Sequence, residues 1–126
     1  MKKLLMALTL LASPAAATTG LTVQPAMAAT TISKLGDLSA MRKIVSDTLT
    51  LVQAGKTQDA IKRITDYETA WDQNEAKLRP LDTETWRKLD EASDVALSTV
   101  RYASAKPDEM KKDLSDLIAL LDNPGL

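Results

Sequence analysis

Four carboxylates are the side chains in this sequence best spaced to do chemistry. Glu68 and Asp72 form one pair four residues apart, and Asp90 and Asp94 form another. That is the separation of neighbours on one helix face. If the two segments are helices that turn back on each other about Leu81, residues equidistant from it face one another. Glu68 then meets Asp94, and Asp72 meets Asp90. Four oxygen-bearing groups converging between two helices could hold a hard cation such as calcium or magnesium. They read equally as a solvated acidic seam, mildly repulsive along each helix, with Arg79, Arg87 and Arg101 folding back on it. Helical carboxylate sites usually add histidine or a calcium loop. No metal or other cofactor is therefore assigned, and the four carboxylates stay as candidates only. Paired carboxylates also suit acid–base work on a glycoside, but nothing in so short a chain indicates a cleft.

Tyr67, Trp71 and Trp86 are the second group. Trp71 and Trp86 lie on facing stripes near the same end of the expected hairpin, where they could line an apolar groove for a ligand or a partner helix. Aromatic residues at helical spacing also pack inward, and with no phenylalanine in the chain the tryptophans would supply much of the bulky core volume. Both readings stand at this point.

Composition removes most other chemistry. The chain has no histidine and no cysteine. The commonest general base, the commonest transition-metal ligand, the thiolate nucleophile and the redox dithiol are all missing. No glycine-rich phosphate loop is present: beyond residue 28 the glycines are isolated at Gly36, Gly55 and Gly125. A Ser-His-Asp or Cys-His arrangement is excluded by composition. The expectation is a protein that is not an enzyme.

The elements that must position these groups are helices. From Thr57 to Leu78 the apolar residues Ala60, Ile61, Ile64, Tyr67, Trp71 and Leu78 mark one helix face. Thr57 stands where an N-cap hydroxyl would, and Pro80 stops the helix. An earlier helix runs from about Asp37 to Gln53, with Leu38, Met41, Val45, Thr48, Leu49 and Val52 inward. Asp37 caps it and Gly55 ends it. A third starts at Asp82 or Thr83, turns Trp86, Leu89, Ser93, Ala96, Leu97 and Val100 inward, and ends near Ala103. Pro107, followed by Asp108 and Glu109, opens a fourth. Its stripe is Met110, Leu114, Leu117, Ile118 and Leu121, and Asn123-Pro124-Gly125 closes it. Lys62–Asp66, Glu75–Arg79, Glu84–Lys88 and Arg87–Glu91 are spaced for i,i+4 pairs. Nothing alternates with period two for long enough to suggest a sheet.

A faint internal echo accompanies these stripes. Ile64, Tyr67 and Trp71 match Leu114, Leu117 and Leu121 at an offset of fifty, and Leu38, Met41, Leu49 and Val52 match Trp86, Leu89, Leu97 and Val100 at forty-eight. Two related helical hairpins would produce it, as would any two amphipathic helices. Four amphipathic helices with short connections fold most economically as an all-α, antiparallel up-down-up-down four-helix bundle. A three-helix core with the first helix loosely attached is the alternative.

The N-terminus reads as an address. Lys2 and Lys3 make a positive start, Leu4 to Ala12 a short apolar run, and Ala26-Met27-Ala28 a signal-peptidase site. The expected organisation is a signal peptide over 1–28, a flexible leader over 29–36, the helical bundle over 37–123 and a C-terminal tail over 124–126. The apolar run is too short for a stable anchor, so no stable membrane insertion is expected after cleavage. Losing Lys2 and Lys3 leaves 14 basic against 17 acidic residues, and no basic patch of the kind nucleic acids require. The expected location is periplasmic or secreted.

One resemblance adds to this. Residues 60–71, A-I-K-R-I-T-D-Y-E-T-A-W, and 86–97, W-R-K-L-D-E-A-S-D-V-A-L, resemble small exported bacterial helical proteins of unknown function. In these a Glu-x-x-Trp helix precedes a Leu-Asp-x-x-x-Asp-x-Ala-Leu helix. The matching positions are Glu68, Trp71, Leu89, Asp90, Asp94 and Leu97, and the likeness spans about half of the chain expected after signal cleavage. It implies an exported helical protein and no particular activity. The resulting expectation is a non-enzymatic exported bundle that binds or modulates a partner protein at the cell envelope. The alternative is a module that binds a cation or small ligand through the acidic seam.

Overall fold

The computed structural model describes residues 34–125. Four α-helices account for the fold: α1 (Ser39–Gln53), α2 (Thr57–Leu78), α3 (Thr83–Arg101) and α4 (Pro107–Asp122). No strand segment occurs among the described residues. Packing joins α1 to α2, α2 to α3, α3 to α4 and α4 back to α1, with no close backbone approach across either diagonal. Consecutive helices are therefore neighbours around a ring, as short connections require of an up-down-up-down bundle. The signal peptide expected over 1–28 lies outside the described residues.

Each helix buries most of the stripe its sequence displays, while Leu49, Ile61 and Ile118, expected inward, are half-buried at the edge of the core. Met41, Val45, Thr48 and Val52 are inside α1, and Ala60, Ile64, Tyr67, Trp71 and Leu78 inside α2. Trp86, Leu89, Ser93, Ala96, Leu97 and Val100 are inside α3, and Met110, Leu114, Leu117 and Leu121 inside α4. The internal echo carries over into burial. Leu38, Met41, Val45, Thr48 and Val52 are buried, and so are their counterparts Trp86, Leu89, Ser93, Ala96 and Val100. Ala60, Ile64, Tyr67 and Trp71 are buried with Met110, Leu114, Leu117 and Leu121. The bundle thus consists of two like hairpins, α1–α2 and α3–α4, each completing the other's core.

The helix ends differ from expectation in instructive ways. Thr57 is the first helical residue of α2, not its cap. Lys56 takes the capping position without a side-chain bond. Asp37 acts one residue further out than a cap, its Oδ1 accepting from the Ser39 N–H at 2.9 Å while Leu38 sits at the N-cap. Asp82 does cap α3, accepting from the Thr85 N–H at 3.2 Å and the Thr85 hydroxyl at 2.7 Å. Gly55, at φ +73°, makes the left-handed turn that separates α1 from α2 and that a side chain would strain. Pro107 opens α4.

Burial extends past the helices at both ends of the described chain. The leader placed over 29–36 is not loose at its end, because Leu35 is 2% exposed and joins the core. At the other terminus Pro124, placed in a tail over 124–126, is buried. In both places an apolar residue just outside a helix closes the end of the bundle. Among the surface pairs, Glu75–Arg79 and Arg87–Glu91 form as spaced. Lys62–Asp66 does not. Arg63 instead takes both Asp66 and the α1 residue Asp47, which its forked guanidinium can serve together. Glu84 pairs with Arg87 in place of Lys88.

Candidate functional site

The α2–α3 interface holds every candidate residue. Tyr67, Trp71 and Trp86 stack in a ladder, with ring centroids 6.1 Å apart at both steps and planes within 14° and 10° of parallel. A separation this wide is the offset stacking that ring quadrupoles favour. Of the two readings of these residues, partner or ligand surface and core, burial favours the core. Tyr67 is 0% exposed, Trp71 3% and Trp86 8%, so the ladder is part of the core. It fills the space between α2 and α3, whose backbones are in sparser contact than those of the other three neighbouring pairs.

Polar atoms on the ladder are mostly satisfied internally. The Ser93 hydroxyl donates to the Leu89 carbonyl at 2.6 Å. Having spent its one proton, it accepts from the Tyr67 phenol at 2.7 Å. Burial pushes the Tyr67 phenol far above its usual range, against the opposing pull of the Ser93 bond. Trp71 Nε1 donates to Asp90 Oδ1 at 2.8 Å. The Arg79 guanidinium lies 5.1 Å from the Trp86 ring centroid, in cation–π range. Trp86 Nε1 is buried and has no hydrogen-bond partner among the described residues.

Glu68, Asp72, Asp90 and Asp94 do share one face. Asp94, though exposed, has its carboxyl raised above the ordinary aspartate range. Desolvation contributes most, followed by the charges of Asp90, Asp72 and Glu68. Arg101 ion-pairs with Glu68 and also reaches the Thr65 hydroxyl at 3.0 Å. Its hydrogen bond holds the Glu68 carboxyl below the usual range. Of the three arginines expected on the seam, only Arg101 folds back on it. Arg79 turns to Glu75 and the Trp86 ring, and Arg87 to Glu84 and Glu91. Among the described residues no group of three or more carboxylates is placed to hold a metal ion. What the seam offers is diffuse negative charge.

A second surface feature escaped the sequence reading. Between the C-terminal half of α3 and the start of α4 lies an open concavity of about 460 Å³, lined by Ser98, Thr99, Tyr102, Ala105, Glu109 and Asp113 among others. Tyr102 stands at its edge, 67% exposed, and Val95, seven residues earlier on α3, is 53% exposed. Thr99 donates to Asp113 at 2.7 Å, joining the two helices that line it. The available signal was an aromatic and a β-branched residue a heptad apart on a face otherwise polar. No helix among the described residues is long and apolar enough to cross a membrane.

No protein-family model, no curated protein and no solved structure matches the chain.

Proposed function

We propose that this is an exported, non-enzymatic helical-bundle protein that binds a partner protein at the cell envelope, and that it does so with the α3–α4 face around Tyr102. One observation carries the reading: an exposed tyrosine lines an open groove with charged walls. Exposed tyrosine is enriched at protein contacts, whose rims are polar. Export is supported by the Lys2-Lys3 start, the apolar run to Ala12 and the Ala26-Met27-Ala28 site. The resemblance to small exported helical proteins, resting on Glu68, Trp71, Leu89, Asp90, Asp94 and Leu97, points the same way. The ladder of Tyr67, Trp71 and Trp86 is spent on packing, which favours an outer surface as the place of contact.

The test is a photo-crosslinking residue in the exported chain, placed at Ser98 in the groove or at the exposed Lys62 on α2. Envelope fractions should yield a defined protein adduct from position 98 that Tyr102→Ala abolishes and that position 62 does not give. No adduct from position 98, or one equally strong from position 62, overturns the proposal. Intact-mass analysis of the exported protein should show a chain starting at Ala29, and a stable species retaining Leu4 to Ala12 refutes the export part.

The alternative, a module taking a cation or small ligand at the acidic seam, is separated by thermal shift with calcium or magnesium. A metal-dependent rise in melting temperature, growing with the logarithm of free metal and lost in Asp72→Asn with Asp90→Asn, would replace the first reading by the second.

A further inference from the structure

No further inference is drawn: the strongest candidate, the cluster of Glu68, Asp72, Asp90 and Asp94 on the α2–α3 face, is an acidic cluster at which no second observation points to a ligand.

Discussion

The interface between α2 and α3 and the interface between α4 and α1 occupy equivalent places in the two-hairpin bundle, yet they are built from different chemistry. Where α2 and α3 bring together Tyr67 and Ser93, α4 and α1 have Leu117 and Val45. Where the first stacks Trp71 on Trp86, the second has Leu121 and Leu38. The contrast extends to charge. Asp72 and Asp90 correspond to Asp122 and Arg42, and Arg42 and Asp122 form an ion pair bridging the two helices. The same positions thus carry complementary charge on one side of the bundle and like charge on the other. The lesson is that the acidic seam is no requirement of the fold, since the fold closes the equivalent position with a salt bridge.

The aromatic ladder should show the largest difference between the two interfaces. Trp71→Ala is expected to cost about 3–5 kcal/mol by urea denaturation, and Leu121→Ala about 2–5 kcal/mol. The tryptophan change should be the costlier, because it removes two stacking contacts and strips Asp90 of its donor. A loss under about 0.5 kcal/mol for Trp71→Ala, the range of surface changes, would show the ring outside the core. The Tyr67–Ser93 bond comes next. Tyr67→Phe keeps the ring and removes one buried bond, worth about 0.5–1.5 kcal/mol net. Ser93→Ala in the Tyr67→Phe background should add less than Ser93→Ala alone, and strict additivity of the two would show that the hydroxyls do not interact.

Much of this architecture is legible in the sequence, for a physical reason. An amphipathic helix must repeat its apolar residues with the helix period, so the stripes of all four helices stand out before any contact is known. Short connections then force neighbours to be antiparallel. The resemblance between hairpins is weak by letter and clear by burial, because Trp86 and Leu38 or Tyr67 and Leu117 fill corresponding places without resembling each other. The choice between core and groove for Tyr67, Trp71 and Trp86 was not legible. It depends on how side chains fill the space between two helices, which periodicity does not encode. Arg63 reaching across to Asp47 was missed for a related cause: spacing rules see pairs within a helix, whereas a long guanidinium also reaches a neighbouring one. Leu35 and Pro124 lay outside any periodic segment, so nothing marked them as caps on the core. Tyr102 lies beyond the end of α3 and off its inner stripe, so the periodicity of that stripe gives no sign of it.

The charge contrast can be sharpened by transplanting one interface's solution into the other. Asp72→Arg puts a guanidinium opposite Asp90, in the sense of Arg42 with Asp122, and removes one source of repulsion at Asp94. Exposed pairs contribute about 0.2–1 kcal/mol, so a rise in stability of that order is expected by urea denaturation at low salt, shrinking as salt is added. A drop in stability would show that Asp72 has a favourable role the structure does not reveal. The converse change, Arg42→Ala, should lower stability by a similar amount, since it leaves Asp122 without its partner.

The smallest expected effect is in the pH dependence, where the sign separates Asp94 from Glu68. Asp94 has a folded-state pKa above its ordinary value of 3.8, through desolvation and then the charges of Asp90, Asp72 and Glu68. The folded state therefore binds this proton more tightly than the unfolded chain does, so Asp94 lowers stability at neutral pH. That penalty is relieved as pH falls through the raised pKa toward 3.8. Glu68 runs the other way. Arg101 holds its pKa below the ordinary 4.5, so its contribution is present above 4.5 and is lost as pH falls through the lowered value. On acidification from neutral pH the two contributions therefore change with opposite sign. Asp94→Asn should therefore stabilise the protein at pH 7 and lose that advantage on acidification, while Glu68→Gln should destabilise at pH 7 and converge with the wild type in stronger acid. Urea denaturation from pH 7 to pH 3 measures both curves. If Asp94→Asn tracks the wild type at every pH, the four carboxylates are too well solvated to repel one another, and the charge difference between the two interfaces has no energetic consequence.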